Sequence, residues 1–150
     1  MNARLIVRLG VLAMLALGLS ACQTGKQAPK EIMSNKSAVE LRAMQARAFE
    51  TGDVNKTLRT VIATLQDLGY TIDKVEPAAG TVSGTKLAQL RITVTVYSRK
   101  PDRTVVRANA IVILPGSENQ VDDPAFYQQY FFEPLSKALF LNALQVEDGD

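Results

Sequence analysis

The clearest periodic pattern in the chain is an apolar stripe between Asp53 and Gly69. Asp53 can cap the first turn of a helix, and Gly69 stands where helices commonly end in a left-handed residue. The apolar side chains between them recur with the spacing of one helix face, at Val54, Leu58, Val61, Ile62, Leu65 and Leu68. The pattern therefore predicts an amphipathic helix between these two residues.

Two long segments in the middle of the chain alternate apolar and polar positions, which is the period of half-buried strands. They are residues 90–99 and 104–114, joined by a short loop at 100–103. Two shorter strands are predicted at 70–76 and 81–86, on either side of a turn rich in Pro, Ala and Gly. The residues expected to share faces of the long strands are Leu90, Ile92, Val94 and Val96, and Val106, Ala108, Ala110 and Val112.

A second helix is predicted to begin after Asp123, with Pro124 at its first position, and to run to about residue 144. Pro134 is expected to kink it, because proline removes one hydrogen bond of the helix. Its apolar residues cover more than one stripe, whereas packing on a sheet buries one. The remainder is either a surface for a protein or lipid partner, or is turned onto the core by the kink. The candidate partner surface consists of Phe126, Tyr130, Phe132 and Phe140.

The segment 41–51 is ambiguous. Its composition favours a helix by propensity, yet residues 49–53 read as the end of an extended arm that leads into the first helix. We favour a strand over about 44–50. With it, the sequence predicts an α+β fold in residues 40–150: an antiparallel four- to five-stranded sheet with two helices packed on one face.

The N-terminus has the features of a lipoprotein signal peptide, predicted to cover residues 1–21. Arg4 and Arg8 precede an apolar run over residues 9–19, which is short for a membrane-spanning helix. Leu19, Ser20, Ala21 and Cys22 then resemble a bacterial lipobox. This resemblance implies signal-peptidase cleavage before Cys22 and a diacylglyceryl thioether on its sulfur, with several acyl chains anchoring the protein to a membrane. The alternatives are an ordinary secretory signal with a chance cysteine, or a short membrane anchor.

Gln23 follows the lipidated cysteine. In the Gram-negative lipoproteins that this segment resembles, aspartate at this place favours retention in the inner membrane. Glutamine therefore implies the outer membrane, with the domain expected on its periplasmic face. Residues 22–39 are mostly polar and include Gly25 and Pro29, so we interpret them as a lipidated N-terminus and flexible tether. The alternative is an ordered arm packed on the domain.

The composition excludes several kinds of catalytic and metal site. The 150 residues include no His and a single Cys, which excludes His-based triads, His-ligated metal sites, Cys-rich zinc sites and an internal disulfide. The chain has 17 basic and 15 acidic residues, and two of the basic ones lie in the predicted signal peptide. The mature side chains are therefore balanced in charge, which gives no electrostatic reason to expect nucleic-acid binding.

The remaining polar clusters favour structural interpretations. Asp122 and Asp123 are adjacent in a loop, where a helix cap is favoured over a cation site. Residues 83–86 contain Ser and Lys but lack the frame of a phosphate-binding loop, so they are interpreted as a strand end. The basic tip formed by Arg99, Lys100 and Arg103 is interpreted as a charged loop that blocks edge pairing, with an anion or peptidoglycan contact as the alternative. No set of residues predicts an enzyme, a cofactor or a metal site.

Two motifs carry a resemblance to a family. Residues 47–53 read Arg-Ala-Phe-Glu-Thr-Gly-Asp, and residues 65–72 read Leu-Gln-Asp-Leu-Gly-Tyr-Thr-Ile. They resemble a pattern of small, largely uncharacterised proteobacterial lipoproteins, in which R-x-F-[DE]-T-x-D precedes a helix ending in L-Q-D-x-G-[FY]-x-[IV]. The order of elements is also similar to the helix-grip domains of a lipoprotein of the outer-membrane barrel-assembly machinery. The resemblance implies a fold and transfers no catalytic residue.

Together these observations predict a non-catalytic lipoprotein of the outer membrane that acts as an accessory or interaction module of the cell envelope. Its partners would be the membrane, through the lipid on Cys22, and another envelope protein. The alternative is a small carrier that binds a lipid or another apolar ligand in the cleft between helices and sheet.

Overall fold

The computed structural model of the chain describes residues 30–32 and 34–146. Its helices and strands have the following bounds: β1 (Lys30–Ile32), α1 (Ala38–Gln45), β2 (Ala46–Phe49), α2 (Val54–Asp67), β3 (Thr71–Glu76), β4 (Thr81–Lys86), β5 (Leu90–Lys100), β6 (Arg103–Leu114), β7 (Ser117–Gln120), α3 (Pro124–Tyr127), α4 (Glu133–Leu139) and β8 (Leu144–Gln145). A π-helical turn, Gln128–Phe132, joins α3 to α4. The predicted signal peptide, Cys22 and Gln23 lie outside the described residues.

The predicted α+β architecture is confirmed. Strands β3, β4, β5 and β6 pair in chain order as an antiparallel sheet. The other edge of β6 is shared by two strands, because β2 pairs with its first half and β7 with its second half. Strand β8 adds to β2, and β1 adds to β7 in parallel. The sheet is open, and its described part has more strands than the predicted four to five.

The helices pack on one face of this sheet and form the main core. The predicted alternation is confirmed, since Ile92, Val94 and Val96 of β5 are buried there. Buried residues of β6 and α2 and of the C-terminal helical segment complete the core, among them Val106, Ala108, Ala110, Leu58, Val61, Leu65, Phe131 and Leu135. Removing these side chains from water is the main source of stability for the fold.

The opposite face of the sheet carries a smaller cluster. Ala46 and Ala48 of β2 are buried beside Val105 of β6, with Leu144 and Val146 packed against them. Strand β2 is buried at every position because this cluster covers Ala46 and Ala48, while Phe49 belongs to the main core and Arg47 stacks on Phe132.

Residues 38–49 differ from the predicted strand over 44–50. Helix α1 occupies residues up to Gln45, and the strand begins only at Ala46. The helix starts with a capping box, in which Ser37 accepts from the Glu40 N–H and Glu40 accepts from the Ser37 N–H. Arg47 donates to the carbonyls of Ala43 and Ala46, which satisfies the end of the helix where the chain becomes extended.

Part of the predicted tether belongs to the domain. Residues Lys30–Ile32 pair with β7, and the Ser34 hydroxyl donates to Asp122 at 2.8 Å. The prediction of a flexible tether is therefore wrong for these residues, for which the alternative of an ordered arm holds. The physical reason is that β7 pairs with β6 along one edge only, so its other edge would be free without Lys30–Ile32. Pairing with this segment satisfies the backbone groups of that edge.

The C-terminal helix is shorter than predicted and is interrupted differently. The Glu133 N–H donates to the Gln128 carbonyl five residues earlier, which makes a wide turn immediately before Pro134. The ring of Pro134 would otherwise meet the carbonyl four residues before it. The helix ends at Leu139, because Phe140 adopts a left-handed backbone, and Leu144 lies in β8 instead of the helix.

The molecule has two opposite ends, set by the direction of β5. The Leu87 end contains the β4–β5 hairpin tip, the turn between β6 and β7, and the last residues of α2. The Phe140 end contains the β5–β6 tip and the end of α4. Among the described residues, no helix is long and apolar enough to cross a membrane.

Candidate functional site

The structure separates the four residues of the candidate partner surface. Phe132 is fully buried in the core, so its assignment to a partner surface is wrong. Phe126 and Tyr130 lie together, with ring centroids 6.1 Å apart. Phe140 is 92% exposed at the opposite end of the helix. The π-helical turn accounts for this division, because it turns Phe131 and Phe132 onto the sheet and leaves Tyr130 63% exposed.

Phe126 and Tyr130 line an open groove of about 280 Å³ at the Leu87 end. We call it the Leu87 groove. The end of α2 and the β4–β5 hairpin form its other walls, and it is lined by Leu68, Tyr70, Lys86, Leu87, Gln89, Leu90, Phe126 and Tyr130. Its lining is mostly apolar, with Lys86 and Gln89 as the long polar side chains. Such a surface suits an apolar side chain with a polar group beside it.

Lys86 is held in place at the wall of the groove. Its ammonium donates to the Leu68 carbonyl at 2.8 Å, and it lies 5.8 Å from the centre of the Tyr70 ring. A cation at this place satisfies a carbonyl at the end of α2 and complements the helix dipole. Burial raises the pKa of the Tyr70 hydroxyl. Tyr70 therefore stays neutral at physiological pH and contributes an apolar ring to the groove.

The hairpin tip beside the groove has an unusual sequence. Leu87 and Ala88 are the central residues of a β-turn in which the Gln89 N–H donates to the Lys86 carbonyl. Their φ values are 53° and 54°, a conformation that turns usually assign to Asn and Gly. A non-glycine residue in the left-handed region costs roughly 1–2 kcal/mol. Leu87 is nevertheless 83% exposed, so burial of its side chain within the domain does not offset this cost. Backbone strain of this kind persists where other constraints, including function, maintain it.

Tyr127, next to the groove-lining Phe126, has a structural role. Its hydroxyl donates to the Val121 carbonyl at 2.8 Å and accepts from the Ala110 N–H and from the Gln45 amide, each at 3.2 Å. These bonds fill the gap that β2 and β7 leave between them along β6. Burial raises the pKa of Tyr127, against the weaker lowering effect of the bonds from Ala110 and Gln45. The side chain is therefore a neutral hydrogen-bonding group and is unsuited to act as a base.

Arg47, the first residue of the motif at residues 47–53, is buried. None of the partners that the structure defines for its guanidinium is a carboxylate. It donates to two backbone carbonyls and to the Gln128 side chain, and it stacks 5.0 Å above the Phe132 ring. Burial lowers its pKa. Asp53, the last residue of that motif, accepts from the Lys56 N–H at 2.7 Å as the predicted cap of α2. The motif is thus explained by folding, because its residues join α1, β2 and α2.

The second motif is explained in the same way. Leu65 is buried in the core, and Gly69 ends α2 with φ of 86°, as predicted. The Tyr70 N–H then donates to the Leu65 carbonyl and directs the chain into β3. Residues in both motifs therefore define turns and helix ends.

The predicted acidic positions are engaged in local contacts. Asp123 accepts from the Ala125 N–H as the predicted helix cap, at α3, while Asp122 accepts from the Ser34 hydroxyl. Asp73 accepts from the Thr85 hydroxyl at 2.6 Å. Across residues 30–32 and 34–146, no group of three or more acidic or other metal-ligating residues converges on one point.

Sequence reasoning missed the Leu87 tip. It assigned strands to residues 81–86 and 90–99 but said nothing of the residues between them. The signal was present, because Leu87 and Ala88 stand where a tight hairpin favours Asn and Gly. An apolar residue at a predicted hairpin tip could therefore have indicated this surface.

No protein-family model and no curated protein matches the chain.

Proposed function

We propose that this protein is a non-catalytic interaction module of the bacterial outer membrane, held there by lipid on Cys22. In this proposal, the Leu87 groove binds an apolar side chain of another envelope protein. The observation that carries the proposal is the combination of a preformed apolar groove with two exposed apolar side chains, Leu87 and Tyr130, at its rim. Exposed apolar surface beside a preformed depression is typical of protein–protein contact sites.

The size of the groove supports protein recognition over the carrier alternative. Pockets that enclose small-molecule ligands commonly have volumes of roughly 300–1,000 Å³. At about 280 Å³ and open to solvent, the groove is suited to one or two side chains and is small for a whole lipid. Ala108, Ala110 and Tyr127 are all buried in the core. The two small alanine side chains let the C-terminal helical segment pack closely on the sheet, which leaves little room for a lipid between them.

The membrane anchor is inferred from the sequence. Arg4, Arg8, the apolar run and the lipobox together support cleavage before Cys22, and Gln23 supports sorting to the outer membrane. Mass spectrometry of the N-terminal peptide of the mature protein tests this part of the proposal directly. An acyl-modified Cys22 would support it, and an unmodified thiol or an uncleaved signal peptide would contradict it.

The groove is tested by site-specific photo-crosslinking in intact envelope membranes. A photoreactive amino acid replaces Gln89, a polar residue in the groove, in the full-length lipoprotein. We expect a discrete crosslinked product that Tyr130→Ser reduces strongly. The matched control is Tyr97→Ser, which removes an exposed tyrosine from the opposite face of the sheet and should leave the product unchanged. A product that survives Tyr130→Ser would exclude the groove, and an acyl-chain product that Tyr130→Ser abolishes would favour a lipid ligand bound in the groove.

A further inference from the structure

We propose that the Leu87 end of the domain rests on the bilayer, with Leu87 and the neighbouring Leu114 in contact with lipid. This inference rests on the proposed lipid anchor at Cys22. It goes further, because it assigns an orientation to the domain and a second role to the hairpin tip.

The first argument is the place where the chain joins the domain. Lys30, the first described residue, pairs with Ser117 of β7. Ser117 in turn pairs with Leu114, the last residue of β6, beside the turn that follows it. The segment from Cys22 therefore reaches the domain at the Leu87 end.

The second argument is the length of that segment. The seven residues between Cys22 and Lys30 can span at most about 28 Å when fully extended. Strand β6 has 12 residues and extends about 37 Å towards the Phe140 end. The segment is therefore too short to run along the whole domain. An anchored domain can bring its Leu87 end to the membrane easily, whereas the Phe140 end would remain at a distance.

The third argument is the surface at this end. Leu87 is 83% exposed and Leu114 is 45% exposed. The two turns that carry them are tied together, because the Gln89 carbonyl accepts from the Ile113 N–H at 2.7 Å. No acidic residue lies between Lys86 and Leu90 in the tip. Two adjacent turns with exposed leucines match the apolar layer at a bilayer surface.

The Leu87 groove opens at the same end, so the partner of the proposed function would be met close to the membrane. Contact with the membrane would also explain why Leu87 and Ala88 are kept in a strained, left-handed backbone. A leucine kept in a left-handed turn can offset its backbone cost by contact with lipid, which the isolated domain does not provide.

The test uses full-length lipoprotein reconstituted in vesicles of phosphatidylethanolamine and phosphatidylglycerol. A polarity-sensitive fluorophore is attached to a cysteine introduced by Leu87→Cys, or by Phe140→Cys as the matched control. Phe140 is also exposed, apolar and left-handed, but it lies at the other end. The lipidated Cys22 has no free thiol to react. We expect lipid-borne quenchers to act several-fold more strongly on the Leu87 probe, and aqueous iodide to act more strongly on the Phe140 probe.

A second pair of variants measures what Leu87 contributes. With the probe at Leu114→Cys, we expect Leu87→Asn to lower the equilibrium for lipid contact about tenfold, as when one leucine side chain returns to water. Phe140→Asn should leave it unchanged. Asparagine tolerates the left-handed backbone at both positions, so both variants are expected to fold.

Equal quenching of the two probes, or stronger quenching of the Phe140 probe, would overturn the proposed orientation. So would the absence of lipid contact by a chain whose acylation is verified by mass spectrometry, which would leave the proposed anchor intact and indicate that protein covers the tip. An unmodified Cys22 would overturn both the anchor and this inference. The two proposals therefore fail by different observations.

Discussion

The Leu87 end and the Phe140 end each carry a large apolar residue that is almost fully exposed and has a left-handed backbone. Leu87 has φ of 53° and Phe140 has φ of 57°. Their surroundings differ. Leu87 borders an apolar groove and lies at the end where Lys30 joins the sheet. Phe140 borders a depression of about 310 Å³ with a mostly polar lining, which includes Glu50, Lys137 and Asn142.

This difference shows that exposure of an apolar side chain is insufficient to define a binding surface. At the Phe140 end the left-handed residue ends a helix, since the Leu141 N–H donates to the Ser136 carbonyl in the manner of a Schellman cap. The left-handed backbone of Phe140 is therefore explained by its role in ending the helix. At the Leu87 end the same backbone makes a hairpin tip, for which Asn and Gly would be favoured, so the choice of leucine requires another explanation.

The largest effect on stability is expected at Phe132, which was wrongly assigned to the candidate partner surface. Phe132→Ala should lower the free energy of unfolding by about 3–5 kcal/mol, because it leaves a cavity in the core beneath Arg47. Phe140→Ala should change it by less than about 0.5 kcal/mol. Chemical denaturation of both variants measures the difference. A similar loss for the two would contradict the division of the helix into buried and exposed faces.

Tyr127→Phe is expected to destabilise the middle of β6 in particular. The substitution removes the partner of Ala110, Val121 and Gln45 and should cost about 1–3 kcal/mol. Hydrogen exchange of the amides of Ala110 and Val121 should become faster, because these amides lie where β6 loses its edge partner. Exchange at Leu141, at the Phe140 end, serves as the control and should change less. Equal changes at all three amides would indicate a global rather than a local effect.

Substitutions in the turn at the β4–β5 hairpin tip are expected to have a smaller effect, which should raise the stability instead of lowering it. Replacing Leu87 by Asn and Ala88 by Gly should raise the free energy of unfolding by about 1 kcal/mol, since these residues fit the left-handed turn. Phe140→Asn should also be mildly stabilising for the same reason. Thermal denaturation measures both. If stability rises at both ends while lipid contact falls only in the Leu87 variant, the leucine is retained for contact and not for folding. A loss of stability in the Leu87 variant would contradict the described turn.

The pH dependence of stability should reflect the buried tyrosines. Burial raises the pKa of Tyr127 and of Tyr70 above the ordinary value of 10.0. The folded state therefore favours the neutral hydroxyls, and their contribution is fully present below pH 10.0 and is lost as the pH rises through the raised values. Denaturation at a series of alkaline pH values should show this decline. Tyr70→Phe, at the groove, should make it less steep, and an unchanged slope would contradict the burial of that hydroxyl.

Local periodicity predicted the elements whose residues interact with near neighbours in the chain. Helix α2 was identified from its stripe and from Asp53 and Gly69, which cap it as expected. The hairpins β3–β4 and β5–β6 were also predicted, because each joins strands adjacent in sequence. The same reasoning correctly identified Asp123 as the cap of the helix that begins at Pro124.

Pairings between distant residues were not accessible in this way. The contact of Ala46 with Arg107, and that of Arg47 with Gln145, depend on the whole sheet being assembled. The end of α1 depends on Arg47, whose guanidinium is positioned by Phe132 from the C-terminal helical segment. The Leu87 groove likewise requires the end of α2, the hairpin and Tyr130 to meet, and these lie in three separate parts of the chain.

The sequence by itself determined the α+β class, the amphipathic helix and the central hairpins, because apolar period and turn chemistry are local properties. It also contains residues 19–22, whose resemblance to a lipobox predicts anchoring at Cys22. Only the tertiary structure decided which aromatic residues of the last helix are buried, because the wide turn before Pro134 rotates Phe132 inward and Tyr130 outward. It also decided that Leu87 and the first described residue, Lys30, lie at one end of the molecule, because that proximity depends on how strands distant in sequence pair within one sheet.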